Sequence, residues 1–155
     1  MGPGKKQASQ KDIEDAYEIG KIVADLDAVL LCGGMSGVME ACAKGAQEAG
    51  GLTLGIGPTA DKQDMNSYLD IPLLTNMHAG RNYMNIISSD VLVFVSVGSP
   101  GTLSELAFAI QVEKPSVVIN GSEKLKEYIK EISGTQIIFV DTTNEIKQYL
   151  EKMLA

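Results

Sequence analysis

Two glycine-rich stretches, Gly33-Gly34-Met35-Ser36-Gly37 and Gly98-Ser99-Pro100-Gly101-Thr102, each follow a short apolar run and each open a helix-like segment. Such loops bring bare backbone N–H groups and a helix N-terminus to one point, an arrangement that receives an anion, most often a phosphate. In the first loop Gly33 and Gly34 are free to take positive φ, and Ser36 with the N–H groups of Gly37 and Val38 can donate to phosphate oxygens. The second loop repeats the logic with Gly98, Ser99, Gly101 and Thr102, and Glu105 follows three residues after Thr102. Two roles are open for Glu105. Thr-x-x-Glu is the spacing of a capping box, in which the carboxylate bonds back to the Thr102 N–H. Facing a cleft instead, the carboxylate is available as a base or as a negative charge beside a developing cation. Arg81 lies between the loops, and a guanidinium meets phosphate in a two-pronged geometry that lysine cannot copy. Together these residues point to a site for a phosphorylated small molecule.

The elements that must position them are legible from periodicity. Residues 10–26 place Ile13, Ala16, Tyr17, Gly20 and Val23 on one helical face, with Ser9 and Asp12 as the start signal. Apolar runs over 28–32, 52–56, 71–75, 91–97, 116–120 and 136–140 have the lengths of strands buried on both faces. Between most of them lie helix-like segments over 37–49, 80–88, 102–112, 122–132 and 143–154. This alternation predicts an α/β fold: one doubly wound, mainly parallel sheet with helices on both faces. Ligands of such folds bind beyond the carboxyl ends of the strands, where both glycine loops would lie. The polar stretch over 57–69 reads as a long loop with one helical turn, and long loops in compact domains are often functional.

Composition narrows the function. The 155 residues, 45% of them apolar, suit a single domain over 1–155. A formal charge of −7 disfavours nucleic acid and anionic membrane surfaces as partners, so an anionic ligand must be held locally. The apolar run over 91–97 falls far short of the ~20 residues of a membrane span, and the Met1-Gly2-Pro3-Gly4-Lys5-Lys6 start has no signal-peptide core. A cytoplasmic location is the expectation. Cys32 and Cys42 form no CxxC and His78 is the only histidine, which suggests packed thiols and no metal site. Met35, Met39, Met77 and Met84 are candidates to line an apolar pocket for a flat base.

The order Cys32-Gly33-Gly34-Met35-Ser36-Gly37-Val38-Met39-Glu40, Gly80-Arg81-Asn82, Ser89-Asp90, Gly98-Ser99-Pro100-Gly101-Thr102-Leu103-Ser104-Glu105 resembles the Lonely Guy superfamily of Rossmann-like nucleotide-binding proteins, once labelled possible lysine decarboxylases. The resemblance is strongest to the branch that includes molybdenum-cofactor carrier proteins. For the enzymatic members it implies a metal-independent phosphoribohydrolase, which cleaves a nucleoside 5′-monophosphate into base and ribose 5-phosphate. The positions matching that family's catalytic pair are Arg81 and Glu105, with Glu105 stabilising an oxocarbenium-like ribose. For the carrier branch it implies a non-catalytic carrier or sensor of a phosphorylated heterocycle such as molybdenum cofactor. Either way no cofactor is required beyond a bound nucleotide or phosphate, and a homodimer or larger homo-oligomer is implied.

Two departures from the family pattern carry expectations of their own. Pro100 stands where the family has glycine, removing one backbone donor, and Ser99 adds a hydroxyl. The chain's first residues match the loop that follows the family's first strand, without that strand. Residues 1–8 are therefore expected to be its remnant, leaving a sheet edge unpaired and the cleft short of one wall.

Overall fold

The computed structural model describes residues 1–133 and 137–155. Its elements alternate: α1 (Gln10–Asp25), β1 (Leu30–Cys32), α2 (Val38–Glu48), β2 (Thr53–Gly57), β3 (Ile71–Leu74), α3 (Arg81–Ser88), β4 (Leu92–Val95), α4 (Pro100–Gln111), β5 (Ser116–Ile119), α5 (Glu123–Ser133), β6 (Ile137–Val140) and α6 (Thr143–Met153). α1 starts as its sequence predicts, with a capping box between Ser9 and Asp12. The long stretch before β3 holds one 3-10 turn, Lys62–Asp64. Gln136, the first residue of the strand expected over 136–140, lies outside the described residues. The strands are shorter than the apolar runs because left-handed residues end them: Asn76 shortly after β3, Ser96 after β4 and Asn120 after β5.

All strand pairs are parallel, and helices cover two faces. Alternating side chains of β5 make the division plain. Val117 and Ile119 join a core with α1, α2 and α6, whereas Val118 joins a second core with Ile86 of α3, Leu106 of α4 and Ile129 of α5. β4 divides likewise, Val95 to the first core, Leu92 and Phe94 to the second. Each fully buried side chain of this size contributes roughly 1.5–3 kcal/mol. α1 and α2 approach to backbone contact, since a β-carbon on Gly20 would overlap the Cys42 carbonyl and one on Gly45 that of Tyr17.

Two expectations need correction. The strands form two three-stranded sheets, β1-β2-β3 and β4-β5-β6, not one. The free edges of β1 and β4 face a common cavity of about 780 Å³, lined along its length by residues 28–32 and 88–93 with Ile19, Val23 and Leu26 of α1. Met1 enters this slot and makes one rung of a parallel ladder: its ammonium donates to the Val93 carbonyl, and its own carbonyl accepts from the Val95 N–H at 2.8 Å. The second correction concerns β3, expected to be buried on both faces. As an outer strand it leaves Ile71, Leu73 and Leu74 exposed.

The rung at Met1 sets a register that further residues can continue between β1 and β4. A five-residue Val/Ile extension joined to Met1 is expected to pair with both edges and raise Tm, by roughly 2–4 °C for each kcal/mol gained. Thermal unfolding checks this against a Ser/Gly extension of equal length. Equal Tm values for the two would show the slot closed to a strand.

Candidate functional site

The two glycine loops leave the carboxyl ends of β1 and β4 and converge on the mouth of the same cavity. From the first loop Met35 and Ser36 line it, with Val38 and Met39 of α2; from the second, Ser99, Gly101, Thr102 and Glu105; from α3, Arg81 and Asn82. Gly33, Gly34, Gly37 and Gly98 do not line it but shape the chain behind it. Of the four candidate methionines, Met35 and Met39 face the cavity and Met77 is exposed. His78 sits exposed in a 3-10 turn ahead of α3.

Local bonding decides what each loop offers. α2 has Gly37 as its N-cap, at φ 78° and with no side-chain cap, so its first-turn N–H groups are not closed off by a side chain. The Val38 N–H, expected to serve an anion, donates instead to the Pro3 carbonyl at 3.2 Å. α4 begins at Pro100, where a missing N–H costs nothing because the first helical donors have no partner anyway. Its cap is Ser99, whose hydroxyl accepts from the Thr102 N–H at 3.2 Å and lies 2.9 Å from the Thr102 hydroxyl. Glu105 is thus released from capping: the Ser99 side chain does that work, and the carboxylate turns to the cavity and Arg81.

Arg81 and Glu105 are both buried, at 7% and 6% exposure, with Nη1 and Oε1 3.9 Å apart. That separation is Coulombic contact without a hydrogen bond. The guanidinium's hydrogen-bond contact among the described residues is a weak one to Met35 Sδ at 4.0 Å, and Nε has none. Burial pushes the Glu105 carboxyl above the usual carboxylate range, against the pull of the Met1 ammonium and Arg81. Burial likewise lowers Arg81, against the stabilising charge of Glu105. A buried, loosely paired cation with spare donors is a ready receptor for an anion. The cysteines are packed thiols as expected. Burial raises both, Cys42 to about 12, so neither is a reactive thiolate.

Gly33 serves a different purpose from the one its type suggested. Its φ is not positive, unlike those of Gly34 (71°) and Gly37 (78°). A β-carbon there would overlap the Arg81 guanidinium, so Gly33 makes the room in which Arg81 lies.

Several residues to which the sequence assigns no role of their own hold these parts. Asn66, in the long polar loop, donates from its backbone N–H to the Gly34 carbonyl at 2.8 Å and from its amide to the Gly34 and Met35 carbonyls, each at 3.0 Å. Met65 covers Gly34 and Gly57. Asn82 reaches Ser104 at 3.4 Å, and the Tyr83 and Phe108 rings meet edge to face at 5.3 Å, fixing α3 on α4. The length and polarity of the 57–69 loop signalled a role, but nothing in its composition singled out Asn66.

Substituting Gly33→Ala should displace Arg81 and weaken sulfate or AMP binding by roughly 1.5–3 kcal/mol, the range for a hydrogen bond to a charged group. Calorimetry checks this, and in an Arg81→Ala background the same change should add little. Wild-type affinity in Gly33→Ala would show that the guanidinium is not held where the glycine admits it.

The similarities of the chain agree with this architecture. Over 125 residues it is 40% identical to an uncharacterized protein of Archaeoglobus fulgidus, a match covering 76% of this chain and 81% of that one. Among solved structures it is similar to the molybdenum cofactor binding protein of the phototrophic bacterium Rippkaea orientalis, with 34% identity and TM-score 0.94, covering 100% of this chain and 94% of that one. It is also similar to the molybdenum cofactor carrier protein of Chlamydomonas reinhardtii, with 32% identity and TM-score 0.92, covering 99% and 95%. The family model for the SLOG cluster4 family matches residues 1–147. In keeping with the resemblance to the Lonely Guy superfamily and its carrier branch, the chain therefore belongs to the SLOG cluster4 family.

Proposed function

We propose that this protein binds a phosphorylated heterocycle of the molybdenum-cofactor kind and carries it without turnover. The observation that supports this most is Arg81, a buried guanidinium whose Nε has no partner among the described residues, set between two glycine loops at one cavity. The cargo's phosphate would take the guanidinium and the α2 first-turn N–H groups beyond Val38, which have no side-chain cap. Its flat ring would lie against Met35 and Met39, soft side chains that adapt to an irregular outline. Similarity to carrier proteins of this cofactor supports the same choice. Beside the site, Tyr83, Ile87 and Leu103 leave apolar surface exposed, which supports the expected self-association.

A second reading keeps the phosphoribohydrolase activity. Its support is the approach of Arg81 and Glu105 to 3.9 Å at the cavity wall. In that reading the ribose of a nucleoside monophosphate lies over Glu105, whose charge stabilises the cationic transition state.

One experiment separates the two. The protein is purified from a host that makes molybdenum cofactor, its oxidised pterin is quantified by fluorescence, and the same protein is incubated with AMP while free base is followed. A carrier retains pterin, loses it at least about tenfold on Arg81→Ala, and leaves AMP intact. Base release that disappears in Glu105→Ala would replace the carrier with the hydrolase. Absence of both pterin and AMP binding would remove both.

A further inference from the structure

Asn85 stands one helical turn after Arg81 on α3 and is fully buried. Neither its amide nitrogen nor its amide oxygen meets a partner in hydrogen-bond geometry among the described residues. Buried polar atoms are almost always paired, since each has lost its water. Leucine would fill this place at similar volume without orphaned atoms, so the amide needs a reason.

The unpaired atoms are complementary. Among the described residues they are Arg81 Nε, a donor, and the two ends of Asn85, one donor and one acceptor. Arg81 and Asn85 are four residues apart and share a face of the helix. The Glu105 carboxylate lies near enough for the Asn85 amide to favour its charged form, although not in bonding geometry. The three groups thus offer matching ends: Arg81 Nε–H is a donor for Asn85 Oδ1, and Asn85 Nδ2–H is a donor for the Glu105 carboxylate.

We propose that Asn85 is a positioning residue that takes over the Glu105 carboxylate when the Arg81 guanidinium turns to a bound anion. The inference rests on Arg81 as the anion receptor proposed above. Arg81 holds Glu105 only loosely, and an anion accepting two of its N–H groups draws it away. Glu105 is then a buried charge that must find a donor or take a proton. Asn85 supplies the donor without adding charge, and its Oδ1 steadies the guanidinium. The other groups facing Glu105 are Arg81, which shares α3 with Asn85, the Met1 ammonium beside β4 and the Cys32 thiol at the end of β1.

The test reads the titration midpoint of the Glu105 side-chain carboxyl by ¹³C NMR, in wild type, Asn85→Leu and Asn85→Ser, each with Arg81 intact and with Arg81→Ala. Removing Arg81 imitates its departure to a ligand, so the readout stands whether or not AMP or a pterin binds. Asn85→Leu should raise the midpoint, and should raise it at least twice as far when Arg81 is absent. Asn85→Ser, which keeps a short donor and is easily accommodated, should fall between wild type and leucine. With AMP as probe at pH 8, Asn85→Leu should bind roughly tenfold more weakly, the loss expected for one hydrogen bond to a charged group, and with proton uptake that wild type does not show. Midpoints unmoved by either variant, or moved equally in both Arg81 backgrounds, would overturn the proposal. Loss of AMP affinity everywhere with the midpoints behaving as described would count against the ligand reading alone.

Discussion

The site depends on an ion pair that is buried but not closed. Arg81 and Glu105 have both left water, yet 3.9 Å separates them and no hydrogen bond joins them. Desolvation of two charges costs several kcal/mol apiece, and a loose Coulombic contact offsets only part of that. The pair is therefore a strained resting arrangement, in which the guanidinium keeps donors to spare and the carboxyl is pushed toward its neutral form. An anion entering the cavity satisfies the first of these needs directly.

The fold holds that arrangement through short-range devices. Gly33 makes room for the guanidinium, and Asn66 ties the first loop to the long loop after β2. Ser99 caps α4, leaving Glu105 free to face the cavity. Asn82 with Ser104, and Tyr83 with Phe108, fix α3 on α4 so that the two charges meet from different helices. Each device acts on a side chain or a loop, and none requires the sheet to be continuous. The gap between β1 and β4 is thus compatible with a formed mouth at their carboxyl ends.

Much of this was legible in the sequence. The alternation of apolar runs and helical segments gave the parallel α/β architecture, and glycine loops after 28–32 and 91–97 placed the cradles at one edge. Arg81 and Glu105 stood out because their types suit phosphate and developing positive charge. What stayed hidden was long-range. Periodicity reports that a strand is apolar but not whether a neighbour lies beside it, so the pattern predicts one sheet where there are two and a covered β3 where the strand is outer and exposed. Spacing alone left Glu105 between cap and cleft; the Ser99 hydroxyl decided it. The type of Gly33 suggests conformational freedom, whereas its constraint is a side chain 48 residues away, that of Arg81. Asn66 and Asn85 carry no local pattern, because an amide's role is set by whatever it meets in three dimensions.

The central claim, that Glu105 competes with an anion for Arg81, is tested most directly by sulfate affinity measured calorimetrically between pH 8 and pH 4.5. Sulfate keeps its charge over this range, so any change belongs to the protein. Because the folded Glu105 carboxyl titrates above its ordinary value, lowering the pH neutralises it and frees the guanidinium. Sulfate should bind more tightly as the pH falls through that raised midpoint, and Glu105→Gln should bind tightly with no such dependence. Sulfate affinity that is flat with pH in the wild-type protein, or equally pH-dependent in Glu105→Gln, would contradict the account.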